Sequence, residues 1–288
     1  MPELPEVETM RRIVERLLVD ETISVQRLTL PKLIRDSPIA SLDPIVGRTI
    51  LAARRRAKVL IVDLSGDLSL LIHFKLAGQL AVIRPDGLRA VAGHPVPKPD
   101  GMYPHKATHW TVTFADGTVA YYSDIRQFGW IRLMPSEAVL DAIVAFGFGP
   151  EAVGENRISP EALKERLARR TIPVKQALLD QGLLAGLGNI YVDEALHAAR
   201  IHPARPANGL SDAELGLLYP AIAWSLERGI EQGGAKIIHS RAYPKEGFPA
   251  VHAREGEPCT QCGVTVVKLR VGNRGTYICP HCQPEPTA

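Results

Sequence analysis

Four cysteines near the end of the chain restrict its fold more than any other sequence feature. They form two Cys-x-x-Cys pairs, Cys259/Cys262 and Cys279/Cys282, and they are the only 4 cysteines in 288 residues. Two such pairs at this spacing are typical of a zinc site made by four thiolates on a β-hairpin. Because four protein ligands leave no open position on the metal, we expect one structural Zn²⁺ that does not activate water.

A pair of disulfides, or spare thiols, is the alternative interpretation of the same cysteines. The N-terminus is acidic and lacks the basic and apolar regions of a signal peptide, and no apolar run approaches the roughly 18 residues of a membrane helix. These features predict a cytoplasmic protein without a membrane partner, where thiols stay reduced. The segment between the two pairs contains Lys268, Arg270 and Arg274, and a rigid cationic hairpin suits contact with phosphates.

Composition limits the protein class without deciding its partner. The 288 residues are 45% hydrophobic and 23% charged, which indicates a globular protein with two domains. The net charge of +3 is too small to establish a polyanionic partner. Basic residues are nevertheless clustered at 54–58 and 164–170, and clustering matters more than the total for a phosphate-binding surface.

The chain begins MPELPEVETM, which predicts an amphipathic helix that packs on a core. Pro5 suits the first turn of a helix, and Glu6 and Glu8 lie beside the positive end of the helix dipole. Apolar residues then recur at helical spacing. Pro2 and Glu3 precede this helix, so its packing would fix their positions in space.

The rest of the chain divides into a strand-rich part and a helical part. Residues 22–134 are rich in β-branched runs, with Asp116-Gly117 at a hairpin turn and a Pro/Gly-rich stretch at 85–105 that we expect to be a mobile surface loop. After residue 136 the pattern becomes helical, with capped helices starting after Ser159 and Ser211, and Pro220 predicted to kink or split the latter. The expected domains are a β-sandwich with the N-terminal helix (1–135), a helical domain (136–250) and a zinc-finger hairpin (251–288).

The second residue, Pro2, would have a reactive amine if Met1 were removed. Pro2 would then supply a secondary α-amine with a pKa of about 8, so that a useful fraction is neutral near pH 7. A neutral secondary amine attacks an aldehyde carbon and forms an iminium without any cofactor. Glu3 beside it could transfer protons in the same step. From these two residues alone, a mere processing signal for Met1 removal remains the simpler interpretation.

Taken as a whole, the sequence resembles the formamidopyrimidine-DNA glycosylases. The motifs that show this resemblance span nearly the whole chain and occur in the family's order: MPELPEVET, RRAK, DIRQFG, GLGNIYVDEAL, GIEQGG, GEPCTQCG and TYICPHCQ. The resemblance implies an α+β fold with a helix-two-turn-helix domain. It also implies a monomeric, bifunctional enzyme of base excision repair that binds damaged double-stranded DNA.

By this resemblance, the amine of Pro2 is the nucleophile, Glu3 transfers protons and Lys58 assists catalysis near the damaged nucleotide. Glu6 would organise the site. The implied reaction removes oxidised purines (8-oxoguanine and formamidopyrimidines) and cleaves the strand by β,δ-elimination. For Lys58, a plain phosphate contact is the alternative role.

The resemblance also assigns residues that hold the DNA. Side chains that fill the space left by the extruded base would be Leu76, where the family has Met, together with Arg126 and Phe128. Phosphates would be held by His73, Asn189 and Arg274. The sequence departs from the family at Lys75 (usually Gly), at Ile125 and Gln127 (usually Pro and Arg), and in a shortened segment 235–255. These departures put the choice of lesion and of opposite base in doubt.

Two other functions stay open at this point. An endonuclease VIII-like enzyme shares the fold and chemistry but removes oxidised pyrimidines, and its chains typically begin Pro-Glu-Gly-Pro rather than the Pro-Glu-Leu-Pro found here. A damaged-DNA-binding protein without catalysis would keep Met1 or another block on the N-terminus. A zinc-ribbon protein of transcription or translation would explain the four cysteines, but not the N-terminus or GLGNIYVDE.

Overall fold

The computed structural model describes residues 2–235, 237–238, 241–242 and 247–285. The chain divides after Phe146 into two compact units. Their mixture of a helix-covered β-sandwich, a helical region and a strand hairpin with clustered cysteines confirms the predicted α+β class. The domain limits predicted at 135/136 and 250/251 stay predictions.

The first unit opens with helix α1 (Leu4–Leu18), which forms where the N-terminal pattern predicts a helix. Glu3 is its N-cap, and Pro5 lies in the first turn, where a missing N–H costs nothing. The apolar positions Val7, Met10 and Val14 are buried on one face, as their spacing predicts. The helix therefore anchors the residues that precede it.

In the described part of the first unit, nine strands follow α1 and form two antiparallel sheets. One sheet has the order β1-β7-β8-β5-β6 and the other the order β2-β3-β4-β9. The strands are β1 (Ile23–Leu28), β2 (Ile50–Arg56), β3 (Val59–Leu64), β4 (Leu68–His73), β5 (Gly78–Ile83), β6 (Arg89–Gly93), β7 (Thr108–Phe114), β8 (Val119–Asp124) and β9 (Trp130–Pro135). Short 3-10 turns occur at Pro31–Ile34, Asp43–Ile45 and Ser136–Ala138.

One apolar core joins both sheets and α1. It contains Val7 and Met10 of α1, Ile72 and Leu133 of one sheet, and Val112 of the other. Helix α1 contacts β2 and β3 of the four-stranded sheet and β5 and β6 of the five-stranded sheet. Burial of large aliphatic side chains at roughly 25 cal/mol per Å² is the main stabilising term for such a sandwich.

One feature of this unit differs from the sequence prediction. The Pro/Gly-rich stretch 85–105 is not wholly a loop, because residues Arg89–Gly93 form β6. A short helix α2 (Val139–Ala145) follows β9, at the point where the pattern becomes helical. The predicted hairpin at Asp116-Gly117 is confirmed as the β7–β8 turn, with Gly117 at φ +86.

Strand register places two loops side by side. Gly78 at the start of β5 pairs with Asp124 at the end of β8, and His73 at the end of β4 pairs with Trp130 at the start of β9. The β4–β5 loop (74–77) and the β8–β9 loop (125–129) therefore emerge at the same edge. A Cβ on Gly129 would lie 3.0 Å from the carbonyl oxygen of His73, which shows how closely the two loops approach.

Among its described residues, the second unit has four helices and two pairs of short antiparallel strands. The helices are α3 (Pro160–Ala168), α4 (Val174–Leu179), α5 (Asn189–Ala198) and α6 (Asp212–Glu231), with a 3-10 turn at Ala207–Gly209. The hairpins are β10 (Ile237–Ile238) with β11 (Arg241–Ala242), and β12 (Val267–Val271) with β13 (Arg274–Ile278). Among the residues that the structure describes, no helix is both long and apolar enough to span a membrane.

The predicted caps are present, but the predicted splitting of the last helix is wrong. Ser159 and Ser211 accept hydrogen bonds from the first turns of α3 and α6, and Glu214 completes a capping box with Ser211. Helix α6 runs without interruption through Pro220. A proline inside a helix costs about 3 kcal/mol. The apolar face of α6 packs on α5, and burial of residues such as Leu218 and Leu226 offsets that cost.

Candidate functional site

The two described residues ahead of α1 are buried and held in place. Pro2 and Glu3 are both buried, and Glu3 is 0% exposed. The backbone N–H of Glu3 donates to Oε2 of Glu6 at 2.8 Å, so the carboxylate of Glu6 fixes the chain just before the helix. An N-terminal segment that is ordered in this way can present a reactive group in one position, whereas most chain ends fray.

The turn that contains Lys58 lies beside this helix. Ala57 and Lys58 link β2 to β3, and Ala57 adopts φ +52, a conformation that two-residue hairpin turns require. Arg55 donates to the carbonyl oxygen of Ala57 at 2.7 Å and pairs with Glu8 of α1 at 3.4 Å. These bonds tie the turn to the first half of α1.

His73 lies close to the Lys58 turn, at the end of strand β4, which pairs with β3. It pairs in register with Val59, the residue after Lys58. Its Nδ1 accepts the backbone N–H of Lys75 at 2.9 Å, so the ring proton is on Nε2 and is available to another acceptor. Burial lowers the pKa of His73 to about 3, and the charges of Lys75 and Lys58 contribute to this shift. His73 is therefore a neutral hydrogen-bond donor near pH 7.

The lowered pKa of His73 predicts a loss of stability in acid. An unfolded histidine has a pKa of about 6.5, so between pH 6.5 and 3 the unfolded chain binds a proton that the folded chain does not. Stability is therefore lost as the pH falls through this range. In His73→Asn, which keeps an acceptor for the Lys75 N–H but does not titrate, we expect the unfolding temperature to fall less between pH 7 and 4. Parallel curves for the two proteins in thermal unfolding would contradict this assignment.

The loop 125–129 is held by one buried carboxylate. Asp124 is 0% exposed, and its side chain accepts the backbone N–H groups of Arg126 (3.0 Å), Phe128 (3.0 Å) and Gly129 (2.8 Å). Gln127 at the tip adopts φ +55. A non-glycine residue in the left-handed region is uncommon and costs free energy, so the surrounding bonds must hold this conformation.

This fixed loop exposes a large apolar side chain, although its burial would favour folding. Phe128 is 53% exposed, and the guanidinium of Arg126 lies 5.1 Å from the centre of its ring. On the neighbouring loop, Leu76 is half-buried and follows Lys75, which adopts φ +47. The structure thus brings Leu76, Arg126 and Phe128 to one edge of the sandwich, next to His73.

The four cysteines in the second unit have the geometry of a zinc site. Their sulfur atoms all lie within 4.8 Å of one another. The closest distances are 3.4 Å (Cys262 to Cys279), 3.6 Å (Cys262 to Cys282) and 4.0 Å (Cys259 to Cys282). Four sulfurs at about 2.3 Å from a tetrahedral zinc are about 3.8 Å apart, whereas a disulfide requires about 2.05 Å. The cysteines therefore fit one structural zinc ion, as predicted.

The hairpin beside these cysteines positions a cation and a helix start together. Arg274 is exposed at the beginning of β13. The carbonyl oxygen of the next residue, Gly275, accepts a hydrogen bond at 3.0 Å from Nδ2 of Asn189, the first residue of α5. Arg274 and Asn189 are thereby brought together within the second unit.

The chain matches known protein families along most of its length. Residues 1–131 match the formamidopyrimidine-DNA glycosylase N-terminal domain, residues 148–240 match the H2TH domain of that family, and residues 256–284 match the zinc finger found in FPG and IleRS. The formamidopyrimidine-DNA glycosylase of Pelotomaculum thermopropionicum is 38% identical over 291 residues, covering 98% of this chain and 99% of the relative. That of Chloroflexus aurantiacus is 37% identical, with 98% of both chains covered.

This chain belongs to the formamidopyrimidine-DNA glycosylase family. Solved structures agree with the assignment. The Lactococcus lactis enzyme in complex with DNA containing Fapy-dG has a TM-score of 0.84 and 34% identity, covering 98% of this chain and 100% of that one. The same enzyme in complex with DNA containing an abasic site has a TM-score of 0.84 and 33% identity, with the same coverage.

A buried charge network in this glycosylase-family chain was not predicted from the sequence. Lys175 and Asp193 form an ion pair at 2.6 Å with both side chains fully buried. The ammonium of Lys175 also donates to Thr276 (2.8 Å) and to the carbonyl oxygen of Gly275 (3.1 Å), while Asp193 accepts from His252 at 2.7 Å. The network holds β13, and thus Arg274, against α4 and α5. The only sequence signal was an acidic pair inside an apolar helix.

The second acid of that pair, Glu194, orders the segment before the zinc finger. Its carboxylate accepts the backbone N–H groups of Ala250 (2.6 Å), Val251 (2.9 Å) and His252 (2.7 Å). Burial raises the pKa of Glu194, and these hydrogen bonds oppose the rise. Part of the shortened segment 235–255 lies outside the described residues, at 236, 239–240 and 243–246. The prediction that this segment covers an extruded base therefore stays a prediction.

Proposed function

We propose that this chain is a bifunctional DNA glycosylase and abasic-site lyase of base excision repair. Its substrates are oxidised purines, 8-oxoguanine and formamidopyrimidines, in double-stranded DNA. Removal of Met1 exposes Pro2 as the nucleophile, Glu3 transfers protons, and Lys58 assists near the damaged nucleotide. We further propose that it acts as a monomer in the cytoplasm, where it is associated with the nucleoid.

The ordered burial of Pro2 and Glu3 is the observation that supports this proposal most. A chain end that served only as a processing signal would need no fixed position. Here the carboxylate of Glu6 holds the N–H of Glu3 at 2.8 Å, and α1 packs on both sheets. A potential amine and a carboxyl group on adjacent, fixed residues support joint action on one sugar ring.

The first chemical step is displacement of the base. The neutral amine of Pro2 forms a bond to C1′, while the glycosidic bond breaks and its electron pair leaves with the base, which takes up a proton. After the amine loses its proton, the C1′–O4′ bond breaks. Glu3 delivers a proton to O4′, and the nitrogen lone pair forms the iminium.

Strand cleavage follows from the iminium. Its positive charge acidifies the C2′ proton, and loss of that proton expels the 3′ phosphate by cleavage of the C3′–O bond. Loss of the C4′ proton then expels the 5′ phosphate by cleavage of the C5′–O bond. Hydrolysis of the remaining iminium by water restores the amine of Pro2, so no cofactor is consumed.

The exposed loops supply the means to hold the opened duplex. Extrusion of a base costs a few kcal/mol because stacking is lost, and inserted side chains offset part of that cost. We assign this role to Leu76, Arg126 and Phe128, which the structure presents at one edge. His73, Asn189 and Arg274 are assigned to phosphates, which accept hydrogen bonds from neutral donors as well as from cations.

Borohydride trapping tests the chemistry and the substrate class together. Full-length protein, shown by intact mass to lack Met1, is incubated with matched duplexes that contain 8-oxoguanine, a ring-opened purine, an oxidised pyrimidine or an abasic site. We expect a covalent adduct with the purine lesions and the abasic site. Mass spectrometry should locate the modification on Pro2.

Each other outcome selects a different function. Adducts only with the pyrimidine lesion and the abasic site would identify an endonuclease VIII-like glycosylase. No adduct with any duplex, including the abasic one, would leave a damaged-DNA-binding protein without catalysis. An adduct on a lysine instead of Pro2 would refute the proposed nucleophile while keeping the lyase activity.

Lys75 should contribute a phosphate contact beside Leu76. Its side chain is exposed, and its backbone conformation is held by the bond to His73. Each neutralised phosphate contributes about −0.9 to the slope of log K against log salt concentration. We therefore expect Lys75→Gln to reduce this slope by roughly one unit and to weaken binding equally for all opposite bases. Fluorescence anisotropy on abasic duplexes at several salt concentrations measures both effects.

Arg84→Gln is the matched control for Lys75→Gln. Arg84 follows the far end of β5, away from the loop 74–77, and pairs with Asp86. The control variant should keep the slope of the parent protein. If Lys75→Gln also keeps it, or if its effect depends on the opposite base, the phosphate contact is wrong.

A further inference from the structure

One zinc ligand differs from the others in the hydrogen bonds that its sulfur accepts. Sγ of Cys259 lies 3.4 Å from the backbone N–H of Gln261, a contact typical of Cys-x-x-Cys turns. It also lies 3.3 Å from Nε2 of His197, a side chain from outside the finger. The sulfur of Cys279, by comparison, accepts the backbone N–H of Cys282 at 3.4 Å, a donor within the finger.

His197 reaches this sulfur from the last turn of α5. Its side chain is 1% exposed, and it is separated from Cys259 by 62 residues in sequence. A zinc-bound thiolate has no proton, so the hydrogen in this contact belongs to the imidazole, and Nε2 must donate. The direction of the bond is thus set by the metal-bound state of Cys259.

The negative charge of the zinc–thiolate centre explains why a hydrogen-bond donor is needed at this sulfur. A zinc ion with four thiolates has a net charge of −2, and Cys259, Cys279 and Cys282 are buried. Buried charge is costly unless hydrogen-bond donors compensate for it. Groups that hydrogen-bond to metal ligands orient them, and their loss typically lowers metal affinity 10–100-fold.

We propose that His197 is a positioning residue of the zinc centre, which donates a hydrogen bond from Nε2 to the Cys259 thiolate and so makes α5 part of the metal site. A second contact ties the finger to the segment just after the same helix, because Nε2 of Gln283 donates to the carbonyl oxygen of Ile201 at 2.9 Å. Zinc retention and the attachment of the finger to α5 are then coupled through His197.

A simpler account is that His197 only fills space beside the finger. Packing alone would be preserved by an apolar side chain of similar size, whereas a hydrogen bond would not. The two accounts therefore differ in the spectroscopy of the metal site and in zinc retention. Neither difference depends on glycosylase activity, so failure of this inference is distinguishable from failure of the proposed function.

The direct test is nuclear magnetic resonance of the full-length protein with ¹¹³Cd in place of zinc. A hydrogen bond to a cadmium-bound thiolate transmits a scalar coupling between the donated proton and ¹¹³Cd. We expect this coupling at the Hε2 resonance of His197. A visible Hε2 resonance without the coupling overturns the proposal. So does an Hε2 proton in fast exchange with solvent, since a donated and buried proton is protected.

Zinc transfer to a chromophoric chelator gives the second test. His197→Leu should lose zinc about 10-fold faster than the parent chain, and His197→Gln, which keeps an N–H donor, should recover part of that loss. The control is His202→Leu. His202 is also buried, and its Nε2 has no hydrogen-bond partner in the part of the chain that the structure describes. Equal release from parent and His197→Leu overturns the proposal. If His197→Leu fails to fold, the ¹¹³Cd coupling in the unsubstituted chain still decides it.

Discussion

A chain extended by one alanine ahead of Pro2 should lose both base excision and borohydride trapping. The extension converts the nitrogen of Pro2 into an amide, which is not nucleophilic, and moves the terminal amine by one residue, about 3.8 Å. A misplacement of 1 Å in a reacting group can cost about 100-fold in rate, so we expect a loss of at least that size. The measurements are single-turnover excision of 8-oxoguanine and trapping on abasic duplex. DNA affinity should change little.

Glu3→Gln separates the two chemical roles and serves as the control. It keeps the amine of Pro2 but removes the proton donor, which typically costs about 10²–10⁴-fold in rate. Excision of 8-oxoguanine should fall by this amount, while trapping on a preformed abasic site, which already contains an open aldehyde form, should persist. Full trapping by the alanine-extended chain would show that another amine, such as that of Lys58, is the nucleophile.

Loss of zinc should have the second largest effect. It should weaken DNA binding rather than slow the chemical steps. Zinc contributes about 10–16 kcal/mol to the folding of isolated zinc fingers, so a finger without metal does not keep its structure. The Cys279 side chain is fully buried. In Cys279→Ser we expect less than one zinc per chain and disorder of the hairpin that contains Arg274. Affinity for abasic duplex should fall by at least about 100-fold, because a charged hydrogen bond to phosphate is worth about 1.5–3 kcal/mol and Lys268 and Arg270 move with it.

Metal analysis, anisotropy with duplex DNA and amide exchange measure these three effects on the same sample. Gln261→Ala is the matched control, because this residue lies between two ligands but is exposed and contributes its backbone N–H, which alanine retains. Protection of the β-sandwich from exchange should be equal in all three proteins. A zinc-free Cys279→Ser chain with unchanged DNA affinity would show that the hairpin does not bind the backbone.

Features set by neighbouring residues were predictable from the sequence. The capping box of Ser211 and Glu214, the turn at Asp116-Gly117 and the zinc ligands each depend on a few adjacent positions, and all three are present. The sequence left open whether Pro220 kinks or splits the last helix, because packing against α5 decides that the helix continues. Local propensity is a weak prior where tertiary contacts are extensive.

Features that join distant positions could not be predicted. Lys175 meets Thr276 across 101 residues, and Asp193 meets His252 across 59. No periodicity or spacing in the sequence predicts such pairs. A buried lysine is rare unless it is paired. The same holds for the contact of His197 with Cys259, since a lone histidine on an apolar helix face is more often an ordinary core residue. For Pro2, Glu3 and the DNA-contacting residues, the assignment of roles depended on the family resemblance and stays a prediction.

The bonding of Asp124 has a consequence for how this surface can change. Its carboxylate accepts three main-chain N–H groups from the loop 125–129, so these bonds hold the backbone whichever side chain stands at position 125. Position 127, at φ +55, is more restricted and suits glycine or asparagine. Under the proposed function, substitutions at Ile125 could therefore retune the response to the opposite base while leaving the chain end unchanged.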